Sequence, residues 1–334
     1  METTIAKPKF NLKSVFTKEN FQEKKPMLIQ WGSLILVIIV FSILTQGNIF
    51  SRNSMRTLLA QIVPLMIMCC GMVFVFAHNG FDIASGSVLG MCAMVNVLIY
   101  NATKMLWLGL LVSILMSVAL YFLECLISIR LGLVTTIGSL AIMFAGRGVV
   151  TYVCSLNNGT VRISDYSALS SIKNNTGLQI GVLVAVVLVS LFLFDLTKIG
   201  KEEKAIGDND VSARQSGVHV EAIKYFSYMY AGLLVGIASI FTLARAGTVT
   251  RAIGSGNEMD IMVAIILGGM NLNGGSKSRM SAAIIGCITY RLLSLGMTMA
   301  GVPTSYISLV KGILFLVIIF MTLRQSKQIK EMPR

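Results

Sequence analysis

The chain has 334 residues, of which 55% are hydrophobic and only 13% are charged, and its mean hydropathy is +0.77. A soluble domain usually carries about 25% charged residues, so a water-exposed fold of this composition would show large apolar patches. The composition therefore excludes an ordinary soluble enzyme, a disordered chain and a collagen-like fibre. It predicts an integral membrane protein.

The net charge of +13 comes from 28 Lys and Arg residues against 15 Asp and Glu residues. Most of the basic residues lie at the ends of apolar runs or in short connections, where they orient a chain in the bilayer. Because basic and aromatic residues do not alternate on any polar segment, we predict no binding to nucleic acid. With two histidines and no CxxC pair among six cysteines, we expect neither a metal site nor a cofactor in this chain.

Apolar runs that are long enough to cross about 30 Å of hydrocarbon predict ten transmembrane helices. They cover residues 31–46, 58–78, 83–100, 105–127, 134–153, 178–195, 224–244, 258–271, 279–297 and 305–323. Several runs are short or broken by glycine, so about eight to eleven spans fit the pattern. We therefore predict an all-α polytopic membrane protein with one transmembrane domain over residues 31–323.

The distribution of Lys and Arg between the connections predicts the orientation of the chain. With residues 1–30 in the cytoplasm, the inner segments hold 18 of these residues, the outer segments hold 6, and 4 lie within or at the ends of the spans. Because Lys and Arg are enriched on the cytoplasmic side, both the N-terminal segment 1–30 and the tail 324–334 are predicted to be cytoplasmic. The polar loop 154–177 is then external, and the loop 196–223 is cytoplasmic.

Two short segments in different halves of the chain share one pattern. Residues 80–87 read GFDIASGS and residues 269–276 read GMNLNGGS, and both fit G-x-[DN]-[IL]-x-[SG]-G-S. Paired glycine-interrupted segments indicate a transport site, because backbone that leaves a helix at membrane depth must line water or be buried in protein. The alternative is that both segments are packing turns between helices.

Polar side chains near these segments indicate the chemistry of the cargo. The candidate translocation pathway consists of Asp82, Ser85, Ser87, Glu258, Asp260, Asn271 and Asn273. Their oxygen atoms accept hydrogen bonds from hydroxyl groups, so a polyhydroxylated solute is a chemically reasonable cargo. A structural role for Asp82 and Asp260 fits the pattern equally well. Ionisable groups at membrane depth usually face a cavity or a partner. For Glu124, Arg291 and Lys311 the alternative expectation is that they extend to a nearby membrane surface, which their positions mostly permit.

The sequence AIGDNDVSARQSGVHV, residues 205–220, lies in the longest internal loop. Gly207, Asp208 and Asn209 predict a turn in which Asn209 caps a helix of about residues 211–216. Gly217 is expected to end that helix, because glycine readily adopts the left-handed conformation at a helix C-terminus. The alternative is an ordinary solvated loop.

The 205–220 segment closely resembles the coupling segment of permeases of ribose/xylose/galactose-type sugar ABC importers, in which A-[IL]-G-x-N-x-x-A-A-R-x-S-G-[IV]-x-V is typical. Ser212 stands where this family has the first of two alanines. GFDIASGS is similar to the family's G-x-I-D-L-S-x-G-S. NEMDIMVAIILGGMNLNGG is similar to its E-L-D-x-I-A-A-x-x-L-G-G-x-S-L-x-G-G, with Asn271 where serine is usual. The three motifs occur in the same order, and the resemblance covers nearly the whole chain.

This resemblance implies the permease fold of a type II ABC importer in the inner membrane of a bacterium. Two copies would form the pathway for a monosaccharide, a separate cytoplasmic subunit would bind ATP and Mg²⁺, and an extracytoplasmic binding protein would deliver the solute. The chain itself would be no enzyme. The residues that would couple it to the ATP-binding subunit are Gly207, Asp208, Asn209, Ser212, Ala213, Arg214 and Gly217.

A second function is compatible with the spans and the paired glycine segments. An ion-coupled secondary transporter of a small polar solute would show similar broken helices, but it would need no segment that docks an ATP-binding partner. An intramembrane enzyme is disfavoured because no nucleophile with a neighbouring base and no metal-binding pattern can be named. The resemblance favours the ABC permease, and the motifs do not specify the sugar.

Overall fold

A computed structural model describes residues 18–270, 274–303, 305–313 and 316, with side chains from Gln30 onward. The candidate pathway residues Asn271 and Asn273 lie outside the described residues, as do residues 1–17 and the tail 324–334. Within the described part the chain is almost entirely helical. The all-α fold that the apolar runs predict is therefore confirmed.

The helices follow one another in chain order and are numbered accordingly. They are α1 (Lys18–Leu44), α2 (Arg52–Ala77), α3 (Ser85–Thr103), α4 (Leu106–Leu131), α5 (Thr135–Leu156), α6 (Ser167–Asn174), α7 (Thr176–Leu191), α8 (Lys198–Asp208), α9 (Asp210–Gln215), α10 (Val220–Ala246), α11 (Asn257–Leu267) and α12 (Met280–Met299). A 3-10 turn covers Asn48–Phe50, a π-helical turn covers Phe192–Leu196, and residues 305–313 are also helical. Strands β1 (Thr160–Arg162) and β2 (Thr248–Thr250) pair antiparallel, with Val161 opposite Val249.

Seven of the described helices are long and apolar enough to cross a bilayer: α2, α3, α4, α5, α7 with its π-helical extension, α10 and α12. A shorter apolar stretch, Gln30–Leu44, lies in α1. The predicted span 258–271 is wrong in length, because α11 ends after 11 residues, which is about 16 Å or half of the hydrocarbon thickness. The helix ends there since Gly268 and Gly269 follow, and Gly269 has a φ of +81°.

Helices α2 and α10 lie at the centre of the bundle, where small residues let their backbones approach each other. A Cβ atom added at Gly71 of α2 would lie 2.9 Å from the Cα atom of Ala231 in α10. Helix α4 packs on α10 in the same way, because Gly232 leaves room for the ring of Tyr121. Such close contacts increase the dispersion attraction between helices, which gain little hydrophobic free energy by associating in lipid.

The two ends of the bundle differ in structure. At one end, Asn101 of α3 donates to the carbonyl of Arg162 at 2.9 Å and accepts from the N–H of Ser164 at 2.8 Å. The predicted loop 154–177 thus contains β1 and α6, and it is anchored to the end of α3. The opposite end carries α8 and α9, which together we call the α8–α9 segment (Lys198–Gln215).

Candidate functional site

The α8–α9 segment begins with a helix that the sequence pattern did not predict. Helix α8 starts at Lys198, where the hydroxyl of Thr197 accepts a hydrogen bond from the N–H of Ile199 at 3.2 Å, as an N-cap residue does. The predicted turn at Gly207 and Asp208 is wrong, because both residues belong to the last turn of α8. The helix extends this far since one of its faces is buried on the bundle, and tertiary packing stabilises short helices.

Helix α9 has the caps that the sequence predicts. The side-chain oxygen of Asn209 accepts a hydrogen bond from the N–H of Ser212 at 3.0 Å. At the other end Gly217 has a φ of +86°, and the N–H of Val218 donates to the carbonyl of Ala213 at 3.1 Å. This is the usual geometry of a helix that ends at glycine, so both ends of the short helix are fixed.

The last turn of α8 contacts the end of α2. A Cβ atom on Gly207 would collide with the carbonyl oxygen of Ala77, so this approach requires glycine. The same carbonyl accepts a hydrogen bond from the N–H of Gly275 at 2.8 Å. Asp208 adds another bond, because its Oδ1 accepts from the N–H of Ser276 at 3.0 Å. Gly207 and Asp208 thus contact both α2 and the segment between α11 and α12.

We call this meeting point the Ala77 junction. Its residues are Ala77, His78, Glu203, Gly207, Asp208, Gly274, Gly275 and Ser276. It includes the end of the second glycine segment, 269–276, and the first glycine segment, 80–87, starts three residues after Ala77. The start of the first segment therefore lies beside the junction, and the end of the second segment belongs to it.

His78 and Glu203 form a buried hydrogen bond that sequence reasoning missed. The Nδ1 atom of His78 lies 2.7 Å from the Oε2 atom of Glu203, and both side chains are almost completely buried. Burial raises the pKa of Glu203 above its ordinary value, and the neighbouring His78 partly offsets this rise. The buried residues of α8 are Gly200, Glu203 and Ile206. Their spacing of three residues places them on one side of a helix, and this spacing is the signal that could have indicated that Glu203 is buried.

Asp82 is buried and hydrogen-bonded within the chain. Its Oδ1 accepts from the N–H of Ala84 at 2.7 Å, and its Oδ2 accepts from the hydroxyl of Tyr121 at 3.0 Å. Ser87 donates to the carbonyl of Met143 at 2.8 Å. The bond to Ala84 is a local turn of the kind that aspartate forms at helix starts. These contacts hold the non-helical segment before α3 in place.

Glu258 lies beside the first turn of α3, which contains the buried residues Ser85 and Ser87. A Cβ atom on Gly86 would collide with the carboxylate of Glu258. The Nη2 atom of Arg147 lies 3.8 Å from the Oε2 atom of Glu258. Among the described residues, this Oε2 atom has no hydrogen-bond partner. Three of the candidate pathway residues therefore belong to one contact region between α3 and α11.

Asp260 is engaged by residues of the last helices. The Nζ atom of Lys311 lies 2.9 Å from its Oδ1, and the Nη1 atom of Arg291 lies 3.4 Å from its Oδ2. The hydroxyl of Tyr290 also donates to Asp260. The expectation that Arg291 and Lys311 extend to the membrane surface is wrong, because a buried carboxylate offers them a closer partner. Since residues two apart on a helix point to different sides, Asp260 and Glu258 serve separate contacts.

Glu124 of α4 is also buried rather than extended to a surface, so this expectation is wrong as well. A Cβ atom added at Gly138 of α5 would lie 3.6 Å from its Cγ atom. In the part of the chain that the structure describes, neither carboxylate oxygen has a hydrogen-bond partner. Helix packing between α4 and α5 holds Glu124 in a position where its charged form is costly.

A cavity of about 360 Å³ opens between α9 and the bundle. Its polar and charged lining residues include His78, Asp210, Arg214, Glu221, Lys224 and Tyr228. Across its rim the Nζ atom of Lys224 lies 2.9 Å from the Oδ2 atom of Asp210. The sequence did not indicate this cavity, because its walls come from five separate helices or their ends.

Comparison with known proteins gives one family and several relatives. Residues 54–319 match the model of a family described as "Branched-chain amino acid transport system / permease component". The chain is 28% identical over 306 residues to the ribose import permease protein RbsC of Escherichia coli (strain K12), covering 90% of this chain and 94% of the relative. No solved structure matches the chain significantly.

Two further relatives are import permeases with other cargoes in their names. The chain is 23% identical over 317 residues to the fructose import permease protein FruG of Bifidobacterium longum, covering 90% of this chain and 92% of that protein. It is 24% identical over 287 residues to the autoinducer 2 import system permease protein LsrC of Yersinia enterocolitica, covering 85% of this chain and 79% of that protein. The similarity therefore extends over most of each chain.

Proposed function

Because the chain belongs to the family of permease components typified by the branched-chain amino acid transport system, we propose that it forms the membrane path of an ABC importer for a monosaccharide or similar polyhydroxylated solute. As an ABC permease it is the non-catalytic transmembrane component, and ATP and Mg²⁺ bind to a partner subunit. Family membership favours this function over the ion-coupled secondary transporter that the spans alone would also fit.

The proposed sugar cargo is supported by the relatives and by the chemistry of the buried groups. Two relatives that cover about nine-tenths of the chain are named for ribose and fructose. Glu258, whose Oε2 lacks a hydrogen-bond partner among the described residues, lies beside Ser85 and Ser87. Carboxylate and hydroxyl oxygens accept hydrogen bonds from sugar hydroxyls. We also propose Asp82, Asn271 and Asn273 for this pathway by the shared sequence pattern, and Asp260 as the other acidic residue of α11.

The observation that carries the proposal is the attachment of the α8–α9 segment to the Ala77 junction. Asp208 binds Ser276 of the second glycine segment, and Gly207 packs on the end of α2. Helix α9 follows directly, with Ser212 and Arg214 exposed and Ala213 buried beneath them. We propose that the ATP-binding subunit docks on this exposed face, and that Asn209 and Gly217 keep α9 in shape.

The proposed orientation places the α8–α9 segment and both termini in the cytoplasm of a bacterial cell. It is supported by the distribution of Lys and Arg, of which 18 lie in the inner segments and 6 in the outer segments. The strand pair β1–β2 and α6 then face the extracytoplasmic binding protein. The proposed ATP-binding subunit meets the α8–α9 segment from the opposite side.

We propose that two copies of the chain line the pathway. Helix α5 keeps the large side chains of Phe144 and Tyr152 exposed. A second copy would cover this face, which otherwise contacts lipid.

The test is transport by the reconstituted complex. Proteoliposomes that contain the chain, its ATP-binding subunit and its binding protein are given radiolabelled D-ribose or D-fructose, with and without internal ATP. We expect accumulation of one of these sugars only with ATP and all subunits present. Uptake of neither sugar by the complete complex would contradict a ribose or fructose cargo. Accumulation by the chain alone under an ion gradient would contradict the ABC mechanism.

A further inference from the structure

We infer that His78 and Glu203 are positioning residues that hold the α8–α9 segment on the end of α2, so that this segment, α2 and residues Gly274–Ser276 move as one body during transport. The inference rests on the proposed function, in which the ATP-binding subunit moves the α8–α9 segment. It assigns a role in coupling to two residues outside the 205–220 motif.

The first support is the geometry of the pair. His78 follows α2 directly, and Glu203 lies on the buried face of α8, 125 residues later in the sequence. Their side chains are 1% and 0% exposed, and the atoms are 2.7 Å apart. A hydrogen bond between two buried side chains is costly to break, because each polar group that loses its partner remains desolvated. The pair therefore resists any separation of α8 from α2.

The second support is another contact of α2 with the start of this segment, one helical turn before His78. The ring of Phe74 meets the ring of Phe194 edge to face, with 5.1 Å between the ring centroids. Phe194 lies in the π-helical turn that leads into α8. Phe74 and His78 are four residues apart and thus lie on the same side of α2. Two points of attachment fix the orientation of α8 on α2, which one point would leave free to rotate.

The third support is that the ion pairs between α9 and the start of α10 are weak. Asp210 pairs with Lys224 of α10, and Arg214 lies 3.8 Å from Glu221, whose side chain is 58% exposed. Exposed ion pairs typically contribute between zero and about 1 kcal/mol, so they transmit little force. Ala213 of α9 is buried in a small apolar cluster with Ile206 of α8 and Val220 of α10. One of the two routes from α9 into the bundle therefore passes through α8 and the Ala77 junction.

The fourth support is a set of backbone contacts made by residues next to the pair. The carbonyl of Ala77, the residue before His78, accepts from Gly275 N–H at 2.8 Å. Gly207, one turn after Glu203 on α8, packs against the same carbonyl. The side-chain bond and the backbone bonds thus join the same three segments. A shift of α8 would carry both α2 and the Gly274–Ser276 segment with it.

The chemistry of the pair gives matched variants. An asparagine at position 78 places a donor near the position of Nδ1, whereas a glutamine reaches the position of Nε2. We therefore expect His78→Asn and Glu203→Gln to keep the bond, and His78→Gln and Glu203→Met to lose it. Glu202→Met, a change of the same kind at the neighbouring and partly exposed residue of α8, is the control.

The first readout is the number of ATP molecules hydrolysed per D-ribose molecule accumulated by the complete importer. We expect this ratio to rise about tenfold for Glu203→Met and His78→Gln, since losing a buried hydrogen bond costs roughly one factor of ten in an equilibrium. It should stay near the unmodified value for His78→Asn, Glu203→Gln and Glu202→Met. A purely structural role would lower assembly without changing this ratio, and such a result would overturn the inference.

The second readout needs no cargo, so it separates this inference from the proposed function. Spin labels on cysteines placed at the exposed residues Lys201 and Lys277 report the distance between α8 and the segment before α12. In the complex we expect this distance to change by less than about 2 Å when a nonhydrolysable ATP analogue binds. In the Glu203→Met variant, binding of the analogue should shift this distance or broaden its distribution. A large change in the unmodified complex, or identical behaviour of both, would overturn the inference even if uptake is normal.

Discussion

Asp208 and Ser276, which are 68 residues apart in the sequence, are joined at one carboxylate oxygen. The Oδ1 atom of Asp208 accepts from the N–H of Ser276 at 3.0 Å and lies 3.4 Å from its hydroxyl. Asp208 belongs to the 205–220 segment, and Ser276 ends the second glycine segment. The structure thus connects the segment that we propose receives force with the segment that we propose borders the pathway.

Replacing Gly207 by alanine should destabilise this contact. The new Cβ atom would collide with the carbonyl oxygen of Ala77 and crowd Gly275, and overpacking of this kind costs typically about 1–3 kcal/mol. We expect a lower thermal unfolding midpoint in detergent and a loss of ATP-driven uptake. Gly181→Ala on α7 is the matched control, since nothing lies within 4 Å of its added Cβ atom. Equal midpoints for both variants would contradict the role of Gly207.

Replacing Asp260 by asparagine should destabilise the packing of α11 against α12. The change leaves Arg291 and Lys311 without their carboxylate partner, and breaking a buried ion pair costs about 3–5 kcal/mol. The measurement is thermal or denaturant unfolding in detergent. Asp195→Asn is the control, because Asp195 forms an exposed pair with Lys204, for which about 0–1 kcal/mol is expected. Similar losses for both variants would argue against the buried cluster.

Labelling of single cysteines should report the orientation of the chain. All six native cysteines are buried, so new cysteines at exposed positions react selectively. Ser171→Cys on α6 should react with a membrane-impermeant maleimide added outside intact cells, because α6 is proposed to be external. Lys201→Cys on α8 should react only after the membrane is opened. The reverse pattern would overturn the orientation, and with it the proposed docking side.

The stability of the protein should depend on pH through Glu203. Burial raises the pKa of this carboxyl in the folded state above its ordinary value of 4.5, so the folded protein binds the proton more tightly than the unfolded chain. The contribution of Glu203 to stability is therefore fully present below pH 4.5 and is lost as the pH rises through the raised pKa. Glu203→Gln removes this dependence.

The check is the unfolding midpoint of both proteins over the acid-to-neutral range. We expect the unfolding midpoint of Glu203→Gln to rise relative to that of the unmodified protein as the pH increases. Glu202→Gln serves as the control, because its side chain is partly exposed. Parallel curves for the unmodified protein and Glu203→Gln would mean that the folded state does not alter the titration of Glu203.

Local patterns predicted those parts of the fold that depend on neighbouring residues. The apolar runs gave the long helices, because hydrophobic length alone decides whether a helix can cross a bilayer. The cap residues Asn209 and Gly217 were predicted correctly, since a cap acts within one turn. Helix α8 was missed, because its stability comes from a face that is buried on the bundle.

Contacts between distant segments could not be predicted in this way. His78 and Glu203 are each unremarkable in the sequence, and only the fold brings them to 2.7 Å. Lys311 was expected to reach the membrane surface because the sequence shows its depth but not its partner Asp260. The shared glycine pattern was informative, but it did not indicate that the second segment binds the carbonyl of Ala77.

The shortness of α11 has a consequence for how the protein is made. Eleven residues are too few to partition into a bilayer on their own, so a ribosome-bound chain cannot insert this helix when it first emerges. Its Asp260 also meets Lys311 only after another 51 residues have been synthesised. We therefore expect α11 to insert together with α12 and the helical segment that carries Lys311, because only then does Asp260 have both of its basic partners.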